Sequence, residues 1–225
     1  MSPMNWTEFT APILLSIKVA ICSSLIVLVL GGFTAWRMTR RTFRGKLWLE
    51  TAFILPLVLP PTVVGFILLV LLGKRSWIGS VMEHLFHQSI IFTWGAAVIA
   101  SIVVAFPLVY QTMKTGFALV SRDLEDAGRS LGASEWQVLR YITLPLAWRS
   151  VMGAYILGFA RGLGEFGATL MIAGNIPHKT QTLPTAIYIA VESGNPSMAW
   201  YWTGSIILIS FGLLFIVNHR SRNAT

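Results

Sequence analysis

Apolar and polar positions alternate along this chain on a coarse scale: long hydrophobic runs are separated by short charged connections. Five runs are long enough to cross a bilayer as helices: Ile13 to Ala35, Leu47 to Leu72, Ile90 to Thr112, Val151 to Ala173, and Ala199 to Val217. About 20 apolar residues suffice for a hydrocarbon core of roughly 30 Å. Backbone polar groups have no water partners in that core, so helices are required. A sixth patch, "LPTAIYIAV" from Leu183, is too short to cross and is expected at the interface or dipping partway in. The pattern therefore predicts an all-α, polytopic membrane protein organised as one transmembrane domain over residues 1–225.

Composition agrees, with 55% hydrophobic and 12% charged residues, where a soluble domain carries about a quarter charged. The positive charge is placed unevenly. Arg37, Arg40, Arg41, Arg44, Lys46, Lys114, Arg122, Arg129, Arg140, Arg149, Arg220 and Arg222 fall on one side of the five-span scheme, and only Lys74, Arg75 and Lys179 on the other. The positive-inside rule then places the N-terminus outside and the tail in the cytoplasm. The net charge of +8 is mostly this bias. Because the basic residues flank spans and form no patch interleaved with aromatics, no nucleic-acid partner is expected. The N-terminal run lacks a basic leader and exceeds a signal core, so a cleaved signal peptide is not expected. Cys22, alone of its kind, reads as a small core hydrophobe.

Against this background the connection between the third and fourth spans stands out. Four of nine acidic residues fall there: Asp123, Glu125, Asp126 and Glu135. Acidic side chains in a first turn suit the positive end of a helix dipole. This helix is expected to run to Leu131 and stop at Gly132, suited to a left-handed cap. A second helix begins with Ser134 as N-cap and Gln137 three residues on. Trp136, Leu139 and Ile142 recur along one face until Leu144 and Pro145 end the regular pattern. Two short helices meeting at a glycine fit either a protein-docking element or a pair lying on the membrane surface.

The spacing Asp126, Ala127, Gly128, then Gly132 with Ala133, then Ile142, Leu144 and Pro145 resembles the EAA loop of permease subunits of binding-protein-dependent ABC importers. Asp replaces the leading Glu, and Gly128 the second Ala. "LPLVLPPTVVGFILLVLLG" from Leu55 and "FARGLGEFGATLMIAGNIP" from Phe159 are similar to segments of molybdate permeases; sulfate and thiosulfate permeases share the second more than the first. The resemblance implies a type I importer permease fold in the bacterial inner membrane. It also implies a second copy of the chain, two ABC ATPase subunits holding ATP and Mg, and a periplasmic molybdate-binding protein, with tungstate or sulfate and thiosulfate as the alternative cargo. Its coupling loop would comprise Glu125, Asp126, Ala127, Gly128, Leu131, Gly132, Ala133, Ile142, Leu144 and Pro145. The sequence contains no G-x-x-x-x-G-K-[ST] phosphate loop, so the ATPase is expected on a partner. A passive anion channel or an intramembrane hydrolase would have no need of such a loop.

Pathway or gate candidates lie within the spans. Pro56, Pro60 and Pro61 each remove a backbone donor and are expected to bend or break the second span; this fits a pathway wall or a packing kink. At about 1.5 Å per residue, Arg161 falls roughly 16 Å from Ser150, near the midplane, with Glu165 one turn further on the same face. Each charge there costs at least ~2.5 kcal/mol, so the pair reads as a structural ion pair or as positive potential moderated along an anion path. Gly158, Gly162, Gly164 and Gly167 favour close helix packing. Lys18 is expected to snorkel outward. His84, His87, His178 and His219 are too scattered to predict a metal site.

Overall fold

A computed structural model describes residues 6–86 and 89–222, so His87 of the expected outer loop lies outside the described residues. Those residues are helical, with no strand among them. The elements are α1 (Trp6–Arg40), α2 (Lys46–Val58), α3 (Pro61–Leu72), α4 (Trp77–Phe86), α5 (Trp94–Ala118), α6 (Arg122–Ser130), α7 (Glu135–Val138), α8 (Leu144–Leu146), α9 (Trp148–Leu163), α10 (Gly167–Ala173), α11 (Leu183–Glu192) and α12 (Pro196–Arg222), with a π-turn over Leu139–Thr143 between α7 and α8.

The centre is α5 packed against α1 and α9. Its amino acids explain the tight fit: Ala20, Ser23, Ser24 and Val27 of α1 and Ala97, Ser101, Ala105 and Val109 of α5 are small or slender and buried. The backbone of α9 comes close enough that a Cβ on Gly158 would stand 3.0 Å from Val109 Cγ2, and one on Gly162 would stand 2.8 Å from Ser23 Oγ. These two expected packing glycines therefore act through close approach within the bundle centre, and Gly167 does so against Pro61 of α3. Gly164 instead caps the end of α9, and Gly167 opens α10.

End-to-end contacts fix the directions. Arg40 Nη2 donates to the Phe117 carbonyl at 3.2 Å, joining the last turns of α1 and α5. Lys18 of α1 stands 3.8 Å over the Trp94 ring at the start of α5, so this lysine is held by a cation–π contact. α1 and α5 thus run in parallel, and α9 returns between them. α12 runs beside α1, with Trp202 Nε1 donating to the Phe9 carbonyl at 3.0 Å. The patch at Leu183 forms α11, whose first amide donates to Ser16 Oγ at 2.7 Å. It starts inside the bundle, beside the interior of α1, rather than lying flat across its end.

Two expected spans are not single helices. The run from Leu47 to Leu72 is α2 and α3, bent by 114° at Leu59 and Pro60. Pro61 occupies the first turn of α3, where its missing N–H has no helical partner to lose. The run from Val151 to Ala173 is α9 and α10, interrupted at Gly164, Glu165 and Phe166. Among the described residues three helices are long and apolar enough to cross alone, and a bent pair such as α2 with α3 supplies a further crossing when counted as one span.

Candidate functional site

The polar connection between α5 and α9 folds as a built unit. Ser121 opens α6 by accepting from the Asp123 amide. The helix closes in a Schellman pattern, with Gly132 N–H donating to the Arg129 carbonyl at 2.9 Å and Ala133 N–H to the Gly128 carbonyl at 3.1 Å. Gly132 has φ +88°, the left-handed conformation expected of it. Ser134 and Gln137 then form a complete capping box. Gly128 sits where the second helical segment closes over the first: a Cβ there would stand 2.6 Å from Ile142 Cδ1, so the end of that side chain would have to turn aside.

Beyond α7 the structure departs from the expected pattern. The regular helix does not continue to Leu144 and Pro145; it passes into the π-turn at Leu139 and resumes as α8, which includes both residues. The wider turn changes the register of side chains. Leu139 is buried and Ile142 packs on Gly128, while Trp136, expected on their face, is 62% exposed. Thr143, at the end of the π-turn, is fully buried.

Thr143 points at the residue that organises the loop. Glu125 sits in the first turn of α6, yet its side chain is only 1% exposed. Its Oε1 accepts from Thr143 Oγ1 at 2.6 Å and pairs with Arg40 Nη2 from the end of α1. A buried carboxylate is tolerable only with such partners. Glu125 therefore ties α1, α6 and the π-turn together, a role beyond the dipole complement expected from its position. Nothing local in the sequence pairs residues 40 and 125.

Arg129 forms a second, exposed cluster. It pairs with Asp126 Oδ1 and clasps Glu135 through Nε to Oε1 at 2.6 Å and Nη2 to Oε2 at 3.1 Å. The hydrogen bond from Arg129 holds the Glu135 carboxyl below the ordinary carboxylate range, and the same contact raises Arg129. This fork fixes α7 to α6. Facing away from the bundle are Leu124, Trp136 and Leu131, the last 90% exposed. Ala127, Ala133, Leu144 and Pro145 fall within the same folded unit, so the ten loop residues singled out in sequence are brought together.

The pathway candidates meet in part. Arg161 Nη1 lies 2.6 Å from Glu165 Oε2, with side-chain exposures of 27% and 1%. Glu165 is not on the helix with Arg161, because α9 has ended. Its other oxygen accepts from the Ala168 amide at 2.9 Å and starts α10. One carboxylate thus spans the interruption. The break between α2 and α3 lies directly alongside: a Cβ on Gly167 would stand 3.0 Å from Pro61 Cβ, and one on Gly65 would stand 2.8 Å from Ala168 Cα. Pro60, Pro61 and Glu165 thereby belong to one place where two interrupted helices touch, while Pro56 lies within α2. The Gly167 contact was invisible in sequence, although a proline pair and a glycine in two separately interrupted runs are its raw materials. Among the described residues no group of three His, Cys, Asp or Glu side chains could hold a metal.

Residues 27–221 match the family of binding-protein-dependent transport system inner membrane components. The chain belongs to this family. Among relatives, the putative molybdenum transport system permease protein YvgM of Bacillus subtilis (strain 168) is 54% identical, covering 97% of this chain and 96% of its own. The molybdenum transport system permease protein ModB of Escherichia coli (strain K12) is 42% identical over 90% and 89%. In fold, the chain is similar to a bacterial alginate ABC transporter solved with an alginate pentasaccharide-bound periplasmic protein, with a TM-score of 0.78, 15% identity, and coverage of 97% of this chain and 80% of that one. A family member of this kind is a multi-pass inner-membrane transport subunit.

Proposed function

We propose that this chain is the permease subunit of an ATP-driven importer whose cargo is molybdate. The anchored loop carries the coupling half of this reading: Arg40, Glu125 and Thr143 fix it to the bundle, and Leu124, Leu131 and Trp136 remain exposed for a partner; the 54% and 42% identical molybdenum transport permeases support the cargo. The whole chain acts as one transmembrane domain, with the N-terminus outside and the loop in the cytoplasm. Two copies enclose the path, two ATPase subunits holding ATP and Mg dock on the loops, and a periplasmic binding protein delivers the oxyanion.

The loop and α1 move as one body because a buried ion pair joins them. ATPase closure pushes on the apolar face, and the push reaches α1 through Glu125 and Arg40. At the other end of the mechanism, the paired interruptions at Pro60 and Glu165 supply non-helical backbone within the spans, the arrangement membrane transporters use for pathways. Arg161 and Glu165 hold α9 to α10 there. Alternation between outward and inward states is then rigid-body rocking.

Reconstitution of the permease with its ATPase and binding protein in proteoliposomes tests this reading. Labelled molybdate should accumulate only with ATP, and unlabelled molybdate should compete far better than sulfate. Equal competition by sulfate would reassign the cargo, and equilibration without ATP would indicate a channel. Single-cysteine labelling in a Cys22→Ser background should find Arg41→Cys and Ser134→Cys in the cytoplasm, and His84→Cys and His178→Cys outside.

A further inference from the structure

The end of α1 carries arginines that the proposed coupling contacts do not use. A cavity of about 440 Å³ is lined by Arg37, Arg40, Arg41, Arg122 and Arg129, together with the three paired carboxylates of the loop. That volume falls within the roughly 300–1,000 Å³ range of small-ligand sites. Arg40 is committed to Glu125, and Arg129 to Asp126 and Glu135. Arg37, Arg41 and Arg122 have no ion-pair partner among the described residues, and all three are exposed. The cavity therefore has a positive surplus facing outward.

A second cavity, of about 430 Å³, shares Arg37 and Arg41 and adds Met38, Thr42 and Phe43. It also meets a row along α1. Leu25, Val29 and Phe33 are exposed, and at the same four-residue spacing the row continues into Arg37 and Arg41. The Arg37 guanidinium lies 5.9 Å from the Phe33 ring centroid. The Arg41 amide donates to the Arg37 carbonyl at 3.1 Å, so the helical spacing carries on past the end of α1. An acyl-facing stripe thus leads directly into a cationic pocket.

We infer that this pocket binds the headgroup of an anionic phospholipid, with its phosphate on Arg37 and Arg41 and its acyl chains along Phe33, Val29 and Leu25. Basic pockets at the cytoplasmic edge of transmembrane helices recognise such headgroups. A free oxyanion would use the arginines but not the apolar row, and an acidic segment of the ATPase would likewise leave the row unexplained. The lipid would sit against Arg40, and hence beside the ion pair that anchors the coupling loop. The inference rests on α1 crossing the bilayer with this end at a headgroup layer, which labelling at Arg41 tests independently of any lipid measurement.

The permease–ATPase complex should be extracted from bilayers of equal phosphatidylethanolamine and phosphatidylglycerol and its retained lipid measured by native mass spectrometry. The wild type should hold phosphatidylglycerol selectively. Arg37→Gln/Arg41→Gln should lose roughly tenfold of that retention, while Arg44→Gln/Lys46→Gln, which removes the same charge outside the pocket, should keep it. In the unmutated complex, a photoactivatable phosphatidylglycerol should label the Phe33 to Phe43 stretch in preference to a phosphatidylcholine analogue, a readout that does not depend on variant folding. Equal loss from both double variants, equal labelling by the two lipids, displacement by inorganic phosphate, or loss of the ATPase in place of lipid from Arg37→Gln/Arg41→Gln would each overturn the inference.

Discussion

Glu125 and Glu165 are both buried carboxylates paired with an arginine, yet they organise different regions. Glu125 reaches across the fold to Arg40 and joins the polar loop to α1. Glu165 pairs with Arg161 four residues earlier and uses its second oxygen to start α10. The first is a long-range tie between two bodies; the second is a local splint across a break. A buried charge needs a partner in either place, but the partner's origin decides what is lost when it goes: in the loop, the tie to α1 on which the proposed coupling depends, and in the span, the shape of the helix interruption.

The largest effect is expected at the loop. Arg40→Met or Glu125→Gln leaves a buried partner stranded, at about 3–5 kcal/mol for a fully buried pair and toward the low end here, since Arg40 is 13% exposed. Limited proteolysis should show a loosened loop, and ATP hydrolysis should no longer be stimulated by loaded binding protein. The double variant should recover loop order. Unchanged stimulation in both single variants would break the contrast with Glu165.

A somewhat smaller loss is expected at the splint, where the Arg161 side chain is 27% exposed against 13% for Arg40. Arg161→Met and Glu165→Gln should each lower the yield of assembled dimer. In the double variant the new amide side chain at position 165 can still accept from the Ala168 backbone N–H, so assembly and uptake should return together. A double variant that assembles fully and imports nothing would instead give Arg161 a direct part in the anion path.

These two carboxylates also show what the sequence makes legible. Features set by neighbouring residues were readable: the positive φ of Gly132, the capping box of Ser134 and Gln137, the break at Pro60 and Pro61, and the proximity of Arg161 and Glu165. The first three follow from backbone sterics and capping, whereas the four-residue spacing of Arg161 and Glu165 foretold their contact but not that the helix ends between them. The partnership of Glu125 with Arg40, the stacking of Gly167 on Pro61, and the π-turn that aims Thr143 inward depend on how distant segments pack. Local pattern even misled for Trp136, because the buried stripe of this segment runs through Val138, Leu139 and Thr143 and leaves Trp136 outside it.

Gly132→Val should cost about 1–2 kcal/mol by forcing a β-branched residue into the left-handed region. No atom lies within 4 Å of the added Cβ, so the effect is backbone strain alone. Membrane insertion should be normal while uptake falls; normal uptake with normal ATPase association would remove the requirement for this cap.

The smallest effect belongs to the exposed fork. Arg129 lowers the Glu135 carboxyl, so its folded pKa lies below its unfolded one. The contribution is present above the unfolded pKa and fades as pH falls through the folded value. Glu135 is 58% exposed, so solvent screening limits the contribution to about 0.5 kcal/mol. A pH titration of loop proteolysis should differ only slightly between wild type and Glu135→Gln, and only on the neutral side of the carboxylate range. A large difference would place this fork beside Glu125 as an anchor.

The most direct test of the coupling account is contact at Leu131, 90% exposed on the loop face that the ion pair holds outward. A photo-crosslinking residue at position 131 in the assembled transporter should capture the ATPase subunit, and Leu131→Glu should abolish both its capture in pull-downs and molybdate uptake while the permease dimer still inserts. A transporter that imports normally with Leu131→Glu, or whose position 131 crosslinks only to lipid, would contradict it.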